Sequence, residues 1–155
     1  MKKNLDGYKM SETQLIHATL IEYAKKGVLL RGKSNCGKSD LALRLIMNKN
    51  ARLVADDIVI LSNENNQIIG KAPDNLRGLL EVRGIGIVKL PYVEQITINL
   101  IVDLVENVSF IERMPKDAQE NIFGVEIKKI DLYAKENSAP DKVLLKLDGS
   151  IVQEK

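Results

Sequence analysis

Short apolar runs separated by polar or glycine-containing turns dominate this chain, and their lengths predict strands more often than helices. Residues 14–23 and 27–31 read as two β-rich runs, and the Ala24-Lys25-Lys26-Gly27 stretch between them suits a hairpin turn ending in glycine. Residues 52–55 and 58–61 form a broken extended run interrupted by Asp56-Asp57, and the Asn63-Glu64-Asn65-Asn66 turn leads to a further strand over 67–71. Strands are also expected over 79–82, 85–90, 96–105, 108–112 and 125–132. Two segments break this habit. Residues 38–48 contain Leu41, Ala42, Leu43, Leu45, Ile46 and Met47 without Gly or Pro, which predicts a helix. Near the end, Ser138 precedes Ala139-Pro140-Asp141, a capping residue followed by proline and an acidic first turn. Val143, Leu144, Leu147 and Ile151 then recur at helical spacing. Many strands and few helices give a mixed sheet, not a clean βαβ repeat. The polar residues 1–12 are expected to fray, leaving a single domain over 13–155.

Between the second strand and the first helix lies Gly32-Lys33-Ser34-Asn35-Cys36-Gly37-Lys38-Ser39, which fits G-x-x-x-x-G-K-[ST] at every fixed position. The strand-loop-helix context is the one this chemistry needs. Backbone N–H groups and the helix N-terminus wrap phosphates, Lys38 reaches the terminal phosphates, and the Ser39 hydroxyl ligates Mg2+. The pattern therefore predicts ATP held with magnesium; the plainer alternative is a glycine turn before an ordinary helix. Asp56 and Asp57 follow the next strand, where such proteins place an acid that holds magnesium or orients a nucleophile. Two carboxylates facing one site would repel, which suits one of them to accept a hydroxyl proton.

Glu81, Arg83, Gly84 and Gly86 lie between two predicted strands. By chemistry alone they fit either a glycine-kinked hairpin carrying a surface ion pair, or a second magnesium-side carboxylate with a phosphate contact. His17 is expected on the strand face opposite Ile16 and Ala18, where a structural role and a functional one both stand open. Cys36 lies inside the loop, so modification of its thiol is expected to block nucleotide entry. The Arg113-Met114-Pro115 stretch reads as the entry to a loop.

Composition narrows the classes. A chain of 155 residues, 45% hydrophobic, is the size of one domain. With 23 Lys and Arg against 21 Asp and Glu, the formal charge of +2 gives no broad field for a nucleic-acid backbone, and 4% aromatic residues offer little for base stacking. One cysteine forms no internal disulfide, and one histidine leaves no cluster of soft zinc ligands, which fits a reducing cytosol. No apolar h-region follows the two N-terminal lysines and no run is long enough to span a bilayer, so a cytoplasmic chain with no membrane or nucleic-acid partner is expected.

Residues 15–46, 51–57 and 79–88 resemble, in order and spacing, the catalytic domain of the HPr kinase/phosphorylase family, and most closely its short, single-domain α-proteobacterial form. The resemblance spans about 14–146. It implies an α/β P-loop kinase fold with a mixed, strand-rich sheet, of the HPr kinase/PEP carboxykinase-like kind. It also implies ATP-dependent phosphorylation of a serine on HPr or an HPr-like phosphocarrier of a bacterial phosphotransferase system, and assembly into homo-oligomers, commonly hexamers. Position by position, His17 matches the family's active-site histidine, Lys38 the phosphate-binding lysine and Ser39 a magnesium ligand. Asp57, with Asp56 beside it, matches the proton-accepting pair, and Glu81 the second magnesium ligand. Arg83, Gly84 and Gly86 fall in the signature segment.

The chain departs from that pattern in places. Asn35 replaces a usual glycine in the loop, Asp40 stands where longer members carry Glu, and the stretch from Lys38 to Asp56 is one residue longer than is typical. The chain is expected to lack the longer members' N-terminal domain, and their arginine-containing segment for the reverse reaction has no clear counterpart near Ser138-Ala139-Pro140-Asp141-Lys142. The resemblance therefore supports kinase activity more than a weak phosphorylase activity. Two other classes stay open: a nucleotide-sensing module that binds ATP without transferring phosphate, and a small-molecule kinase or ATPase.

Overall fold

The computed structural model describes residues 13–149 and 151–152, so the fraying expected of residues 1–12 lies outside the described residues. Strands β1 (Thr13–His17), β2 (Thr19–Tyr23) and β3 (Lys26–Arg31) precede helix α1 (Lys38–Lys49). Eight more follow: β4 (Arg52–Ala55), β5 (Ile58–Glu64), β6 (Gln67–Lys71), β7 (Leu79–Val82), β8 (Gly86–Lys89), β9 (Gln95–Leu104), β10 (Ala118–Ile122) and β11 (Val125–Leu132). Helix α2 (Ala139–Asp148) closes the described chain.

The main sheet runs β1-β5-β6-β9-β3-β2-β4 and curls on itself. Strand β9 is its axis. It pairs in parallel with β3 along one edge, while β6 and then β11 share the other, so the sheet forks along that edge. Parallel pairing of β9 with β3 and β11, and antiparallel pairing elsewhere, makes the sheet mixed, as the strand-rich pattern implies. The expected single run over 14–23 is divided at Ala18: β1 pairs with β5, whereas β2 pairs with β4. Asp56 and Asp57 divide β4 from β5 at the same level, and Ala18 N–H donates to the Asp57 carbonyl at 3.2 Å. Two chain breaks therefore face each other where the sheet changes partners.

One face of the sheet carries α1 and α2 over a core of Ile21, Val28, Leu30, Leu100 and Val102, into which α1 inserts Leu41, Ala42 and Leu45 and α2 inserts Val143 and Leu147. The inside of the curl holds a second core, with Leu20, Leu29, Val59, Leu61, Ile98 and Ile101. Alternation along β2 and β3 sends successive residues to opposite cores, so apolar residues stand side by side at Leu20-Ile21 and Val28-Leu29-Leu30.

Several expectations need correction. The β2–β3 turn is made by Ala24 and Lys25, at φ 49 and 68, and the Glu22 carboxylate accepts from Lys25 N–H at 2.7 Å. Gly27 lies in β3, where a Cβ would come within 2.4 Å of the Thr97 carbonyl oxygen; close packing requires glycine there, not the turn. Residues 108–112 are not a strand. Val108–Phe110 is a 3-10 turn whose N-terminus is capped by the Asn107 side chain accepting from Ser109 N–H at 2.9 Å. The unpredicted β10 has almost no apolar pattern and pairs only with β11. Ser138 occupies the N-cap position of α2 without a side-chain cap, and Gly149, at φ 77, ends that helix before Ile151.

Strand β3 ends in Arg31, just before the glycine-rich loop. Its guanidinium donates to both Asp103 oxygens at 2.7 and 2.9 Å and to both Glu120 oxygens at 2.7 and 2.6 Å, binding β3, β9 and β10 together. Lys129 Nζ lies 3.4 Å from Glu120 and 3.7 Å from Asp103. The hydrogen bonds from Arg31 hold the Glu120 carboxyl below the usual carboxylate range. A depressed folded-state value means stabilisation that is present above the unfolded value and lost as pH falls through the folded one. Glu120→Gln is therefore expected to lower the free energy of unfolding, measured by urea titration at pH 7, by about 1–3 kcal/mol. The gap between variant and wild type should close in acid. A gap that stays constant with pH would refute the assignment.

Candidate functional site

The glycine-rich loop follows β3 directly and ends in α1, with Gly37 as the helix N-cap at φ 95. A Cβ on Gly37 would lie 3.2 Å from that of Ala134, so the left-handed backbone and the close packing both favour glycine. Lys33 C=O accepts from Cys36 N–H at 3.1 Å, closing a turn in which Asn35 sits at φ 70. That is the left-handed region, where asparagine is the best tolerated residue after glycine. Asn35 thus occupies a conformation suited to the glycine it replaces.

Lys38 is the first helical residue, and its ammonium donates to the Gly32 and Lys33 carbonyls at 2.5 and 3.1 Å. It lies folded over the loop, where a phosphate would sit. Lys33 points outward and pairs with Glu106 at 3.0 Å, which raises the affinity of its ammonium for its proton. Ser34 is exposed at the turn. Cys36 behaves differently from expectation. Only 5% exposed, its side chain packs in the core beneath α1, so a reagent reaching the loop surface does not meet its thiol, and only its backbone faces the turn.

The two aspartates have separate places. Asp56 is 6% exposed, and its Oδ1 accepts from the hydroxyls of Thr19 and Ser39, each at 2.8 Å, while Oδ2 accepts Glu81 N–H at 3.2 Å. One carboxylate therefore ties β2, the first turn of α1 and β7 together. Asp57 points the other way, 77% exposed, with Oδ1 3.9 Å from His17 Nδ1. Their expected confrontation across one site does not occur: one is a buried bridge, the other an exposed carboxylate beside an imidazole. Thr19, fully buried, was not picked out from the sequence. A lone hydroxyl residue in an apolar strand two positions after His17 is the signal that marks it.

Strands β7 and β8 form a separate two-stranded hairpin turning through Arg83, Gly84 and Ile85. Buried Leu80 and the Glu81–Asp56 bond fix its base beside the site. Glu81 and Arg83 do not form the surface ion pair that one reading of the segment expected. The Glu81 side chain is exposed, and Arg83 Nη2 donates to Asn35 Oδ1 at 2.7 Å, across to the loop. The fold so gathers His17, the loop, Lys38, Ser39, both aspartates, Glu81 and Arg83 in one region. Among the described residues, no three His, Cys, Asp or Glu side chains converge as a metal cage.

Residues 8–144 match the model of the HPr Serine kinase C-terminal domain. An HPr kinase/phosphorylase from Malacoplasma penetrans is 42% identical over 130 residues, covering 77% of this chain and 43% of that protein. Another, from Mycoplasma mycoides, is 37% identical over 134 residues, covering 79% and 42%. The chain thus spans less than half the length of these curated relatives. A solved structure, the Hpr(Ser) kinase/phosphatase from Coxiella burnetii, superimposes with a TM-score of 0.73 at 33% identity, covering 88% of this chain and 95% of that one. With a family match over residues 8–144, relatives at 37–42% identity and a solved structure of the same fold at 33% identity, this chain belongs to the family of the HPr serine kinase C-terminal domain.

Proposed function

We propose that the protein is an ATP-dependent serine kinase whose acceptor is HPr or an HPr-like phosphocarrier, built on a P-loop kinase fold. The observation that carries this reading is the division of labour between the aspartates: Asp56 buried and bonded to Ser39, Asp57 exposed beside His17. In the reaction, the serine hydroxyl oxygen of the acceptor attacks the γ-phosphorus of ATP, the bond from that phosphorus to the β–γ bridging oxygen breaks, and ADP leaves. Asp57 takes the hydroxyl proton, and the His17 imidazole stands beside it at 3.9 Å. The Lys38 ammonium and the loop N–H groups stabilise charge spreading over the phosphoryl oxygens, with Arg83 as a further donor.

The residues present fit magnesium. Ser39 donates its proton to Asp56, which leaves the hydroxyl lone pairs directed elsewhere, and the exposed Glu81 carboxylate is the second oxygen donor. Magnesium is commonly held by one or two protein oxygens together with substrate phosphates, not by an all-protein cage. When bound, it neutralises phosphate charge.

Residues 13–155 are proposed to act as one domain, in the cytoplasm, as a homo-oligomer that the family resemblance puts at a hexamer. No described helix is long and apolar enough to cross a membrane. The test is incubation of the purified protein with Mg-ATP and the HPr-like protein of its own organism, followed by mass spectrometry. One phosphate on an acceptor serine is expected. ATP turnover without a labelled acceptor would replace this reading by a small-molecule kinase or ATPase, and ATP binding without turnover by a sensing module.

A further inference from the structure

The β7–β8 hairpin makes no strand pairing with the main sheet, and a two-stranded hairpin is marginal unless something holds it. Its base is held by buried Leu80, by the Glu81–Asp56 bond and by Leu90 N–H donating to the Gly78 carbonyl at 2.7 Å. The turn is a different matter. A Cβ on Gly84 or Gly86 would meet nothing within 4 Å, both glycines have positive φ, and Ile85 and Ile87 are 76% and 70% exposed. Arg83 lies in this open turn, on a side chain with many rotamers to lose. What spans the gap to the loop is the hydrogen bond from Arg83 Nη2 to Asn35 Oδ1, at 2.7 Å.

We infer that Asn35 is a positioning residue: its side-chain carbonyl tethers Arg83, and with it the hairpin turn, over the phosphate loop before nucleotide arrives. The inference rests on the kinase reading for its consequence and on the geometry for its existence. Asn35 meets two requirements with one residue. Its backbone takes the left-handed conformation at φ 70, and its amide oxygen supplies an acceptor that glycine lacks. The guanidinium has five N–H donors in a planar fork, so binding through Nη2 leaves others for a phosphoryl oxygen. Held there in advance, the guanidinium loses less rotamer freedom as transfer begins, an effect that falls on kcat and not on ATP affinity.

Asn35→Gly isolates the tether, because glycine keeps the loop conformation and removes only the side chain. In full-chain protein, N35G is expected to lower kcat by about threefold to tenfold, with KM for ATP within about twofold of wild type. In an R83A background the same substitution should change nothing further. A second readout does not depend on the reaction. In nucleotide-free protein, hydrogen exchange at the amides of residues 83–86 should be faster in N35G than in wild type, and equal in R83A and N35G/R83A. Unchanged exchange in N35G, or equal losses of kcat in both backgrounds, overturns the tether. Faster exchange in a protein that transfers no phosphate to any phosphocarrier supports the tether and removes the kinase reading instead.

Discussion

Lys38→Ala is expected to lower phosphoryl transfer by about a thousandfold or more, with thermal unfolding within about 1 kcal/mol of wild type. The lysine stands at the first helical position of α1, and its ammonium bonds to the Gly32 and Lys33 carbonyls, so the loop carries its own cation. Lys33 is exposed and Gly32 half-buried, so water can take the place of the ammonium and losing the lysine does little to the fold. A triphosphate has no such alternative. The helix N-terminus contributes only about half a positive charge, whereas the ammonium brings a full one to the phosphates. The measurement is steady-state phosphorylation of the acceptor, paired with calorimetric titration of ATP. Full activity in the variant removes the loop from the mechanism.

Most of the sheet and the central motif were legible because each rests on local patterning. Strands β2 and β3 show consecutive apolar residues, Leu20-Ile21 and Val28-Leu29-Leu30, since both faces are buried, and α1 shows its buried Leu41, Ala42 and Leu45. Legibility failed where a neighbour decided the outcome. Strand β10 is held by its pairing with β11 and by Glu120 meeting Arg31, neither of which leaves an apolar signature. The apolar Val108, Phe110 and Ile111 imitate a strand, yet Asn107 turns the chain instead. The partner change at Ala18 is invisible locally, because a strand that switches neighbours keeps its own conformation. At the site, the motif named the loop and the acidic pair. It did not say that Cys36 turns into the core, that Thr19 supports Asp56, or that Asn35 and Arg83 meet across 48 residues of sequence, since all three depend on how distant elements pack.

The two aspartates should separate cleanly on mutation. Asp57→Asn is expected to lower the rate of transfer by about a hundredfold to ten-thousandfold while leaving the unfolding midpoint nearly unchanged. Its side chain is exposed and its neighbour is an imidazole, so an amide of the same shape fits but takes no proton. Asp56→Ala should be costly in both respects. It strands the hydroxyls of Thr19 and Ser39 and the N–H of Glu81, and leaving buried donors without a partner costs about 1–3 kcal/mol each, moderated where water can enter beside Ser39. The backbone sharpens the contrast. Asp57 sits at φ 73 inside the short loop closed by Ile58 N–H donating to the Asp56 carbonyl at 2.9 Å, the geometry of the strained γ-turn. Such a conformation costs on the order of 1–3 kcal/mol and persists where surrounding structure imposes it, commonly at a reacting centre. Here the imposition comes from Asp56 on one side and the Ala18–Asp57 bond on the other. Urea unfolding and kinase rates on both variants decide the matter. If Asp57→Asn kept its rate while Asp56→Ala lost it without loss of stability, the proton would go to the buried carboxylate and the roles would have to be exchanged.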